Sequence, residues 1–290
     1  MPELPEVETI VRELKRELVG DTIIDVWTDS SKNLQGNFSE FKKEIKNKKI
    51  IAVKRRGKNI FLFLEEDKII WIHLKMTGHL LIGKYKFNKK EWVPVDNDKL
   101  LDPNNRYLHW VFLLRSGRAL VLSDRRKMAK IVLLSNTSFA QQKSLKKLGI
   151  EPLSSSFTPE VLKTILRRSR SEIKRVLMNQ EYIAGIGNIY ANEILWKAGI
   201  NPWIPSNKLQ ESQIIALHRA IKDVLSQAIA HRGTSAKDDN YRDIYGERGK
   251  FSSYLKVYQR EGEPCPKCGT LIKRKKQAGR STFYCPRCQK

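Results

Sequence analysis

The spacing of apolar residues changes several times along the chain, and the first spacing is helical. Starting at Val7 and ending at Leu18, apolar residues recur every three or four positions, and Gly20 closes the stripe. The preceding residues 1–6 also fit a helix start. Proline suits the first helical turn, and acidic side chains favour the positive end of the helix dipole. The pattern predicts an amino-terminal helix.

Residues 22–134 are dominated by short β-rich runs separated by polar or turn-forming stretches. Many short strands at this spacing are typical of a two-layer β-sandwich, and we expect the first helix to pack against it. The predicted strands cover residues 22–27, 50–53, 60–64, 69–74, 79–82, 107–114, 119–122 and 131–134.

Helical spacing returns after a polar stretch and predicts a helical bundle. Thr158, Pro159 and Glu160 form a helix start with a cap, a first-turn proline and an acidic residue. Four apolar stripes then predict helices, the longest between Ile214 and Ala228. Residues 232–250 are charged, contain glycines and have no period, so we expect a mobile loop there.

These patterns together predict an α+β multidomain protein. Its predicted parts are an amino-terminal β-sandwich domain flanked by helices over 1–134, a linker over 135–153, a helical DNA-binding domain with a helix–two-turns–helix over 154–250, and a zinc-finger hairpin over 251–290.

The last of these parts is predicted from the four cysteines of the chain, which form two Cys-x-x-Cys pairs. They are Cys265, Cys268, Cys285 and Cys288. This spacing is typical of one structural Zn²⁺, because four thiolates leave no open position for water. An apolar pair, a turn and an aromatic pair between the knuckles predict a β-hairpin. A disulfide cluster is the alternative, which is disfavoured because nothing else suggests secretion.

Charge points to the kind of partner. The formal net charge is +24, and residues 265–290 contain eight Lys or Arg and no Asp or Glu. Such an excess favours a polyanion, whose neutralised phosphates release counterions. A ribosome-associated or merely lysine-rich protein is the alternative. The absence of a long apolar run and of a basic-then-apolar leader predicts a chain that neither spans a membrane nor is secreted.

Two short stretches are candidate phosphate sites. In Ala184-Gly-Ile-Gly-Asn188, two glycines stand directly before a predicted helix, where backbone N–H groups and the helix dipole favour an anion. Lys54-Arg-Arg-Gly-Lys58 lies between two predicted strands. The alternatives are an ordinary turn between helices for the first stretch and a solvated turn for the second.

Five stretches, taken together, resemble one known family. They are Met1-Pro-Glu-Leu-Pro-Glu-Val-Glu-Thr9, His73-Leu-Lys-Met-Thr-Gly78, Gly185-Ile-Gly-Asn-Ile-Tyr190, Gly262-Glu-Pro-Cys265 and Gly279-Arg-Ser-Thr282. They run from the first residue to the last, in the order of the family, and the chain resembles formamidopyrimidine-DNA glycosylase. The endonuclease VIII branch usually has glycine where this chain has Leu4, so the resemblance favours the formamidopyrimidine branch.

The resemblance implies three residues at the chemical centre. Removal of Met1 frees Pro2, whose secondary amine attacks C1′ of the damaged nucleotide, and Glu3 transfers protons beside it. Lys58 matches the family's catalytic-site lysine. An α-amine is a sensible nucleophile, because with an ordinary pKa near 8 a useful fraction is neutral at pH 7.

Other matching residues are implied to contact DNA. Asn188 and Arg280 match the family's phosphate-gripping pair, and Arg280 also counts with the catalytic residues. His73 matches a further phosphate contact. The family's His-x-His strand reads Tyr107-Leu-His109 here, so only the second histidine is kept.

The residues that fill the gap left by an extruded base include one departure. Met76 matches the family's methionine, and Arg126 matches its arginine. Met128 stands where the family has phenylalanine; methionine is flexible enough to wedge between bases but stacks less well than a ring.

We therefore expect a bifunctional enzyme of base-excision repair that removes oxidised purines and cleaves the strand by β,δ-elimination. Its expected partner is damaged double-stranded DNA, and we expect a cytoplasmic, nucleoid-associated monomer. The alternatives are an endonuclease VIII-like enzyme for oxidised pyrimidines and a zinc-ribbon protein that binds DNA without chemistry.

Overall fold

The computed structural model of the 290-residue chain describes residues 1–236 and 241–290. These residues fold into two compact units. The first comprises residues 1–2, 6–146 and the described part of 232–250, and the second comprises residues 3–5, 147–231 and 251–290. The domain boundaries expected from the sequence stay predictions. Within the described residues, no helix combines the length and apolarity needed to cross a bilayer.

The first unit contains all eight predicted strands and three that the pattern did not show. The strands are β1 Thr22–Thr28, β2 Leu34–Gln35, β3 Lys48–Arg56, β4 Asn59–Leu64, β5 Lys68–His73, β6 Gly78–Gly83, β7 Tyr85–Asn88, β8 Glu91–Pro94, β9 Leu108–Leu114, β10 Ala119–Asp124 and β11 Lys130–Ser135. The additional strands, β2, β7 and β8, have two to four residues each, which is too short to show an alternating pattern.

Nine of these strands form one sheet, in the order β2-β11-β5-β4-β3-β1-β9-β10-β6. Its two halves meet where β1 pairs with β3 through Thr22 and Ile23 alone. Inward side chains from both halves form one apolar core with helices α1 (Leu4–Leu18) and α2 (Phe38–Ile45). The predicted first helix is thus confirmed, and it packs through its apolar stripe against the sheet.

Short elements cover the outer faces of the sheet halves. Helices α3 (Asn136–Gln141) and α4 (Lys143–Lys146) contribute Phe139 and Leu145 to the apolar cluster outside β5 and β11. The β7–β8 hairpin contributes Tyr85 and Trp92 to the cluster outside β9 and β10.

The second unit contains the predicted helical bundle and the carboxyl-terminal hairpin. Its helices are α5 Pro159–Arg167, α6 Ile173–Met178, α7 Asn188–Ala198 and α8 Glu211–Ala230. Their apolar stripes meet in one buried cluster. Strands β12 (Lys273–Gln277) and β13 (Arg280–Tyr284) form the predicted hairpin. The α+β fold class predicted from the sequence is confirmed, with its amino-terminal sheet, helical region and cysteine-bearing hairpin.

Candidate active-site residues and zinc centre

The four cysteine sulfurs of the second unit lie within 4.8 Å of one another. The Sγ atoms of Cys265 and Cys288 are 3.8 Å apart, and those of Cys268 and Cys285 are 3.5 Å apart. A tetrahedron with Zn–S bonds of about 2.3 Å has sulfur–sulfur edges of about 3.8 Å, so the donor set fits Zn²⁺. The centre is structural, and Trp196 Nε1 donates a hydrogen bond to Cys265 Sγ at 3.4 Å.

Glu3 is the anion that the glycine turn binds in this structure. Its carboxylate accepts hydrogen bonds from the backbone N–H groups of Gly187 at 2.8 Å, Ile189 at 2.9 Å and Tyr190 at 3.4 Å. These groups belong to the amino-terminal end of α7, where the helix dipole favours negative charge. The sequence indicated an anion site at this turn, and the structure shows that the chain's own carboxylate occupies its N–H groups.

The turn before α7 is shaped to admit this carboxylate. Gln180 holds the turn, accepting from Gly185 N at 2.8 Å and donating to Ile186 O at 2.7 Å. A Cβ atom on Gly187 would lie 2.4 Å from the Glu3 carboxylate. Leu4 N donates to Gly185 O at 3.0 Å, so residues beside Glu3 are also fixed on the turn.

Around the zinc hairpin, basic side chains line a cleft of about 220 Å³. The cleft is lined by Lys174, Arg175, Met178, Asn179, Gln277, Ala278 and Arg280. Lys174 is almost fully buried and donates to Ser281 O at 3.0 Å and Thr282 Oγ1 at 2.8 Å. Burial, together with the charge of Arg280, lowers the pKa of Lys174 to about 8. Asn188 Nδ2 donates to the same Ser281 oxygen at 3.2 Å, so Asn188 and Arg280 border one hairpin.

In the first unit, Lys58 lies in the two-residue turn that joins β3 to β4. Its side chain is largely buried. Gly57 takes a left-handed conformation, with φ of 56°, which suits glycine at a tight turn. Arg55 Nη1 donates to Gly57 O at 2.9 Å, and Arg55 Nε donates to Glu8 of α1 at 2.7 Å. The turn is thereby tied to the first helix.

His73 stands at the end of β5 as a neutral side chain. Burial lowers the pKa of His73 to about 4, and the nearby charges of Lys75 and Lys58 act in the same direction. The backbone N–H of Lys75 donates to Nδ1 at 3.0 Å. The ring proton is therefore on Nε2, and this nitrogen can act as a donor.

A single buried carboxylate joins the two loops that carry the candidate gap-filling residues. Asp124 accepts a hydrogen bond from Thr77 Oγ1, next to Met76. Its other oxygen accepts from Met128 N at 2.6 Å and from Ala129 N at 2.7 Å. Met76 and Met128 are 41% and 45% exposed, so both side chains are accessible from solvent. Each loop thus exposes a methionine, and the hydrogen bonds to Asp124 hold the two loops together.

His109 is held by a residue that the sequence did not single out. The register of β1 on β9 pairs Thr28 with Trp110 and so places Asp29 opposite His109. Both Asp29 oxygens lie 3.0 Å from His109 Nδ1, and Asp29 Oδ2 also lies 3.0 Å from Lys127 Nζ.

The described parts of 232–250 are anchored on α1 by carboxylates. Thr234 N donates to Glu6 at 2.8 Å, and Arg232 lies 2.6 Å from both Glu13 and Asp243. Burial and the neighbouring Asp243 raise the pKa of Glu13 to about 7. The segment has no regular helix or strand in its described residues, and residues 237–240 of the predicted loop lie outside them.

Comparison with known proteins decides the family. The family model described as the formamidopyrimidine-DNA glycosylase N-terminal domain matches residues 1–131, and the H2TH domain of the same enzymes matches residues 148–240. A zinc finger found in FPG and IleRS matches residues 262–290. A formamidopyrimidine-DNA glycosylase of Pelotomaculum thermopropionicum is 42% identical over 291 residues, covering 100% of this chain and 99% of the relative. The chain belongs to the formamidopyrimidine-DNA glycosylase family. The predicted resemblance is thereby confirmed.

Solved structures of the family agree over the full chain. Lactococcus lactis Fpg in complex with DNA containing an abasic site has a TM-score of 0.87 and 33% identity, with 99% of each chain covered. The same enzyme in complex with DNA containing Fapy-dG has a TM-score of 0.86 and 33% identity, covering 99% of this chain and 100% of that one. Membership of the family makes this chain an enzyme of base-excision repair, a DNA glycosylase with lyase activity at abasic sites.

The described part of the structure shows contacts for most of the residues that the resemblance singled out. It also shows carboxylates that position these residues and that the sequence analysis did not single out. Asp124, Asp29 and Glu6 were missed from the sequence. Asp124 carried a local signal, because an aspartate that precedes a turn often accepts from N–H groups further along it. Asp29 carried none, because its partners are 80 and 98 residues away.

Proposed function

We propose that the enzyme removes oxidised purines, 8-oxoguanine and formamidopyrimidines, through an imine on Pro2 and then cleaves the strand by β,δ-elimination. Support comes from the similarity over the full chain to Lactococcus lactis Fpg, which is recorded with DNA containing Fapy-dG and with DNA containing an abasic site. Damaged duplex DNA is the proposed partner. The cytoplasmic, nucleoid-associated location and the monomeric state stay predictions.

The observation that carries the proposal is the environment of Glu3. This carboxylate directly follows Pro2 in the chain and is held by three backbone N–H groups at a helix terminus. Such a cluster restrains the carboxylate so that it can exchange protons without reorganising. An ordinary helix cap is usually exposed, whereas Glu3 is 4% exposed. A buried carboxylate beside a potential amine nucleophile is better suited to catalysis than to capping alone.

The proposed chemistry starts from the free secondary amine of Pro2. The nitrogen lone pair attacks C1′ as the N-glycosidic bond breaks. The attacking nitrogen gives its proton to the Glu3 carboxylate, and we assign to Glu3 the transfer of that proton to the departing base. Cleavage of the C1′–O4′ bond, with a proton taken up by the ring oxygen, gives the imine as its iminium ion, which makes the protons at C2′ acidic. Abstraction of such a proton expels the 3′ phosphate, and a second elimination expels the 5′ phosphate. Lys58 lies in the β3–β4 turn that Arg55 ties to α1, and we assign it as the catalytic-site lysine of the first unit.

We assign phosphate binding to charged and to neutral hydrogen-bond donors. Arg280 lines the basic cleft beside the zinc hairpin and is exposed and able to reach a phosphate, and Asn188 donates to Ser281 O of the same hairpin. His73 contributes as a neutral Nε2–H donor, which its low pKa permits at neutral pH. His109 is proposed as a further DNA contact.

Base extrusion requires side chains that fill the vacated stack. Met76 and Met128 are exposed, and the Asp124 carboxylate accepts hydrogen bonds from both of their loops. Arg126 lies in the same loop as Met128. We assign these three residues to that role. Met128 replaces a ring with a flexible thioether, so opposite-base preference is expected to be weaker than an aromatic wedge would give.

Oxidised pyrimidines are the second candidate substrate class. Lactococcus lactis Fpg is also recorded with DNA containing an oxidised pyrimidine, at 32% identity and a TM-score of 0.86 to this chain. Excision rates on matched duplexes containing 8-oxoguanine or thymine glycol separate the two. A faster rate on thymine glycol would reverse the order proposed here.

The decisive experiment is borohydride trapping on a duplex containing 8-oxoguanine opposite cytosine. Reduction of the imine should give a stable protein–DNA adduct, and peptide mapping should place it on Pro2. A variant extended before Pro2 has an amide nitrogen there, so it should bind DNA but form no adduct.

Pro2→Gly serves as the matched control for the extended variant. It keeps a free α-amine without the ring, so trapping should fall without disappearing. Full trapping by the extended variant, with the adduct mapped to a lysine such as Lys58, would overturn the assignment of the nucleophile. The absence of any adduct or strand cleavage by the wild-type protein would overturn the proposed function.

A further inference from the structure

Asp29 lies just beyond β1, and its carboxylate joins two candidate DNA-contacting segments of the first unit. Both of its oxygens lie 3.0 Å from Nδ1 of His109, and one also lies 3.0 Å from Nζ of Lys127. Thr28 Oγ1 lies 2.7 Å from His109 O and 2.9 Å from Ser30 O, and it accepts from Ser30 N at 3.1 Å. These contacts fix the backbone on either side of Asp29. The carboxylate is therefore positioned by its own strand end.

A carboxylate at this place is unfavourable for binding a polyanion. The side chain of Asp29 is 34% exposed, and it pairs with Lys127, which lies between Arg126 and Met128, the two residues that we assign to DNA contact. Like charges repel, so an aspartate near a phosphate weakens association. The negative charge must therefore act through the two side chains that it holds.

The effect on Lys127 concerns the tip of the loop. Lys127 takes a left-handed conformation, with φ of 51°, between Arg126 and Met128. Asp124 holds the base of this loop through Met128 N, whereas Asp29 holds the side chain at its tip. Left-handed backbone in a non-glycine residue is costly, so it needs such contacts to be maintained.

The effect on His109 concerns its orientation. Its Nδ1–H donates to the Asp29 carboxylate, so the ring is held in one plane and, when neutral, in one tautomer. One carboxylate thus fixes a strand-borne ring and a loop tip together, and both are ordered before DNA arrives. Ordering in advance removes a cost that binding would otherwise include.

We propose that Asp29 is a positioning residue that holds the Arg126–Met128 loop ready to open a base pair, and that it lowers intrinsic DNA affinity in doing so. The inference rests on the proposed function. It predicts opposite signs for two measurements, because removal of the charge relieves repulsion but loosens the loop.

The test compares Asp29→Asn with wild type on two substrates under single turnover. One is a duplex with 8-oxoguanine paired to cytosine, and the other carries the same 8-oxoguanine as an unpaired single-base bulge. We expect excision from the paired duplex to fall about tenfold and excision from the bulge to change less than about twofold. Affinity for undamaged duplex should be tighter.

Asp25→Asn is the matched control. Asp25 lies in β1 and pairs with Lys42 at 2.8 Å, with exposures of 38% and 40% for the lysine and aspartate. It has no contact with the Arg126–Met128 loop in the described structure, so both excision rates should stay at the wild-type level. Lys127→Gln removes the same ion pair from the other side, and it should show the same selective loss on the paired duplex. The double variant Asp29→Asn with Lys127→Gln should lose no more than either single variant.

Several results would overturn the inference. These are an equal loss on paired and bulged lesions, no loss on the paired lesion, unchanged or weaker affinity of Asp29→Asn for undamaged duplex, or a loss of the same size in Asp25→Asn. If Asp29→Asn does not fold, Lys127→Gln decides alone through the comparison of excision from the paired lesion with excision from the bulged lesion. Wild-type protein that excises neither substrate would instead refute the proposed function, and the role of Asp29 would fall with it.

Discussion

At the scale of single residues, one glycine determines where the Glu3 carboxylate can lie. The carboxylate approaches the backbone so closely that a Cβ on Gly187 would be 2.4 Å from it. The atoms that such a Cβ would meet are the far end of a flexible side chain, so the carboxylate would move and the turn would remain. Gly185 differs, because its φ is 95° and a Cβ there would lie 2.6 Å from Leu4. A substitution at Gly185 would therefore destabilise the fold itself.

Gly187→Ala is therefore expected to keep the fold and displace Glu3. Excision of 8-oxoguanine should fall by about 10²–10⁴-fold, the range typical of a lost proton-transfer group. Single-turnover rates and a thermal unfolding midpoint within a few degrees of wild type check this. Borohydride trapping on a preformed abasic site should persist, because it needs the Pro2 amine and no departing base.

The double variant of Gly187→Ala with Glu3→Gln tests whether the two act as one unit. If the alanine acts through Glu3, the combined loss should equal the larger single loss. Losses that add would contradict the assignment and place Gly187 in a separate role.

At the scale of elements, the zinc hairpin is the part with the smallest apolar core of its own. Its cluster contains Trp196 of α7 and Phe283 of β13, together with two of the cysteines. Phe283 N donates to Asn192 Oδ1 at 2.8 Å, and Gln277 Nε2 donates to Pro202 O at 3.0 Å. Because this buried cluster is small, metal binding supplies much of the folding free energy of the hairpin.

Cys268→Ser is expected to lose zinc and unfold the hairpin while the sheet and helices persist. Affinity for a duplex containing an abasic-site analogue should fall by more than about tenfold, because Arg280 loses its place beside the cleft. Zinc content, far-ultraviolet circular dichroism and a binding titration check the three parts. Wild type stripped with a chelator should match the variant, and restored zinc should rescue only the wild type. Unchanged affinity in zinc-free protein would show that the hairpin does not grip DNA.

At the scale of the whole molecule, charge determines both partner preference and the response to pH. A net charge of +24 favours binding to polyanions such as DNA, whatever the nucleotide sequence. The pH response is carried by buried groups of the first unit. Burial lowers the pKa of His73 and of His79 to about 4, and it raises the pKa of Glu13 to about 7.

We expect stability to fall as the pH drops from 6.5 to 4. Each histidine takes up its proton in the unfolded chain near pH 6.5 but in the folded chain only near 4, so acidification favours unfolding by about 3 kcal/mol per histidine. Glu13 acts in the opposite sense, because its folded pKa is raised; its contribution is present at low pH and is lost as the pH rises through 7. The urea midpoint at pH 7, 6 and 5 measures the net fall.

Glu13→Gln provides the check on that sign. It removes a group that opposes the histidines, so the midpoint should fall more steeply with acidification than in the wild type. A shallower fall in Glu13→Gln, or a wild-type midpoint independent of pH, would contradict the assignment.

The sequence by itself determined the family and most of the elements, although helices α2, α3 and α4 were not predicted. Alternation and helical spacing located eight strands and five helices. Each strand or helix must bury one face, and this requirement sets the spacing of apolar residues along the chain. Cysteine spacing located the zinc site for the same reason, since each knuckle lies within one short Cys-x-x-Cys stretch of the chain. The strands β2, β7 and β8 were missed because two to four residues are too few to establish a period.

Only the tertiary structure decided which groups the functional residues contact. Glu3 is 184 residues from Gly187, and Asp29 is 80 residues from His109, yet each pair is in hydrogen-bond contact. Such pairs depend on strand register and on where residues 3–5 meet the turn before α7, and neither is encoded in the spacing of residue types. The glycine turn shows the difference most directly. Its sequence predicted that an anion would bind there, and the fold decided that Glu3 supplies it, because a buried N–H group is satisfied by whichever acceptor the packed chain brings near.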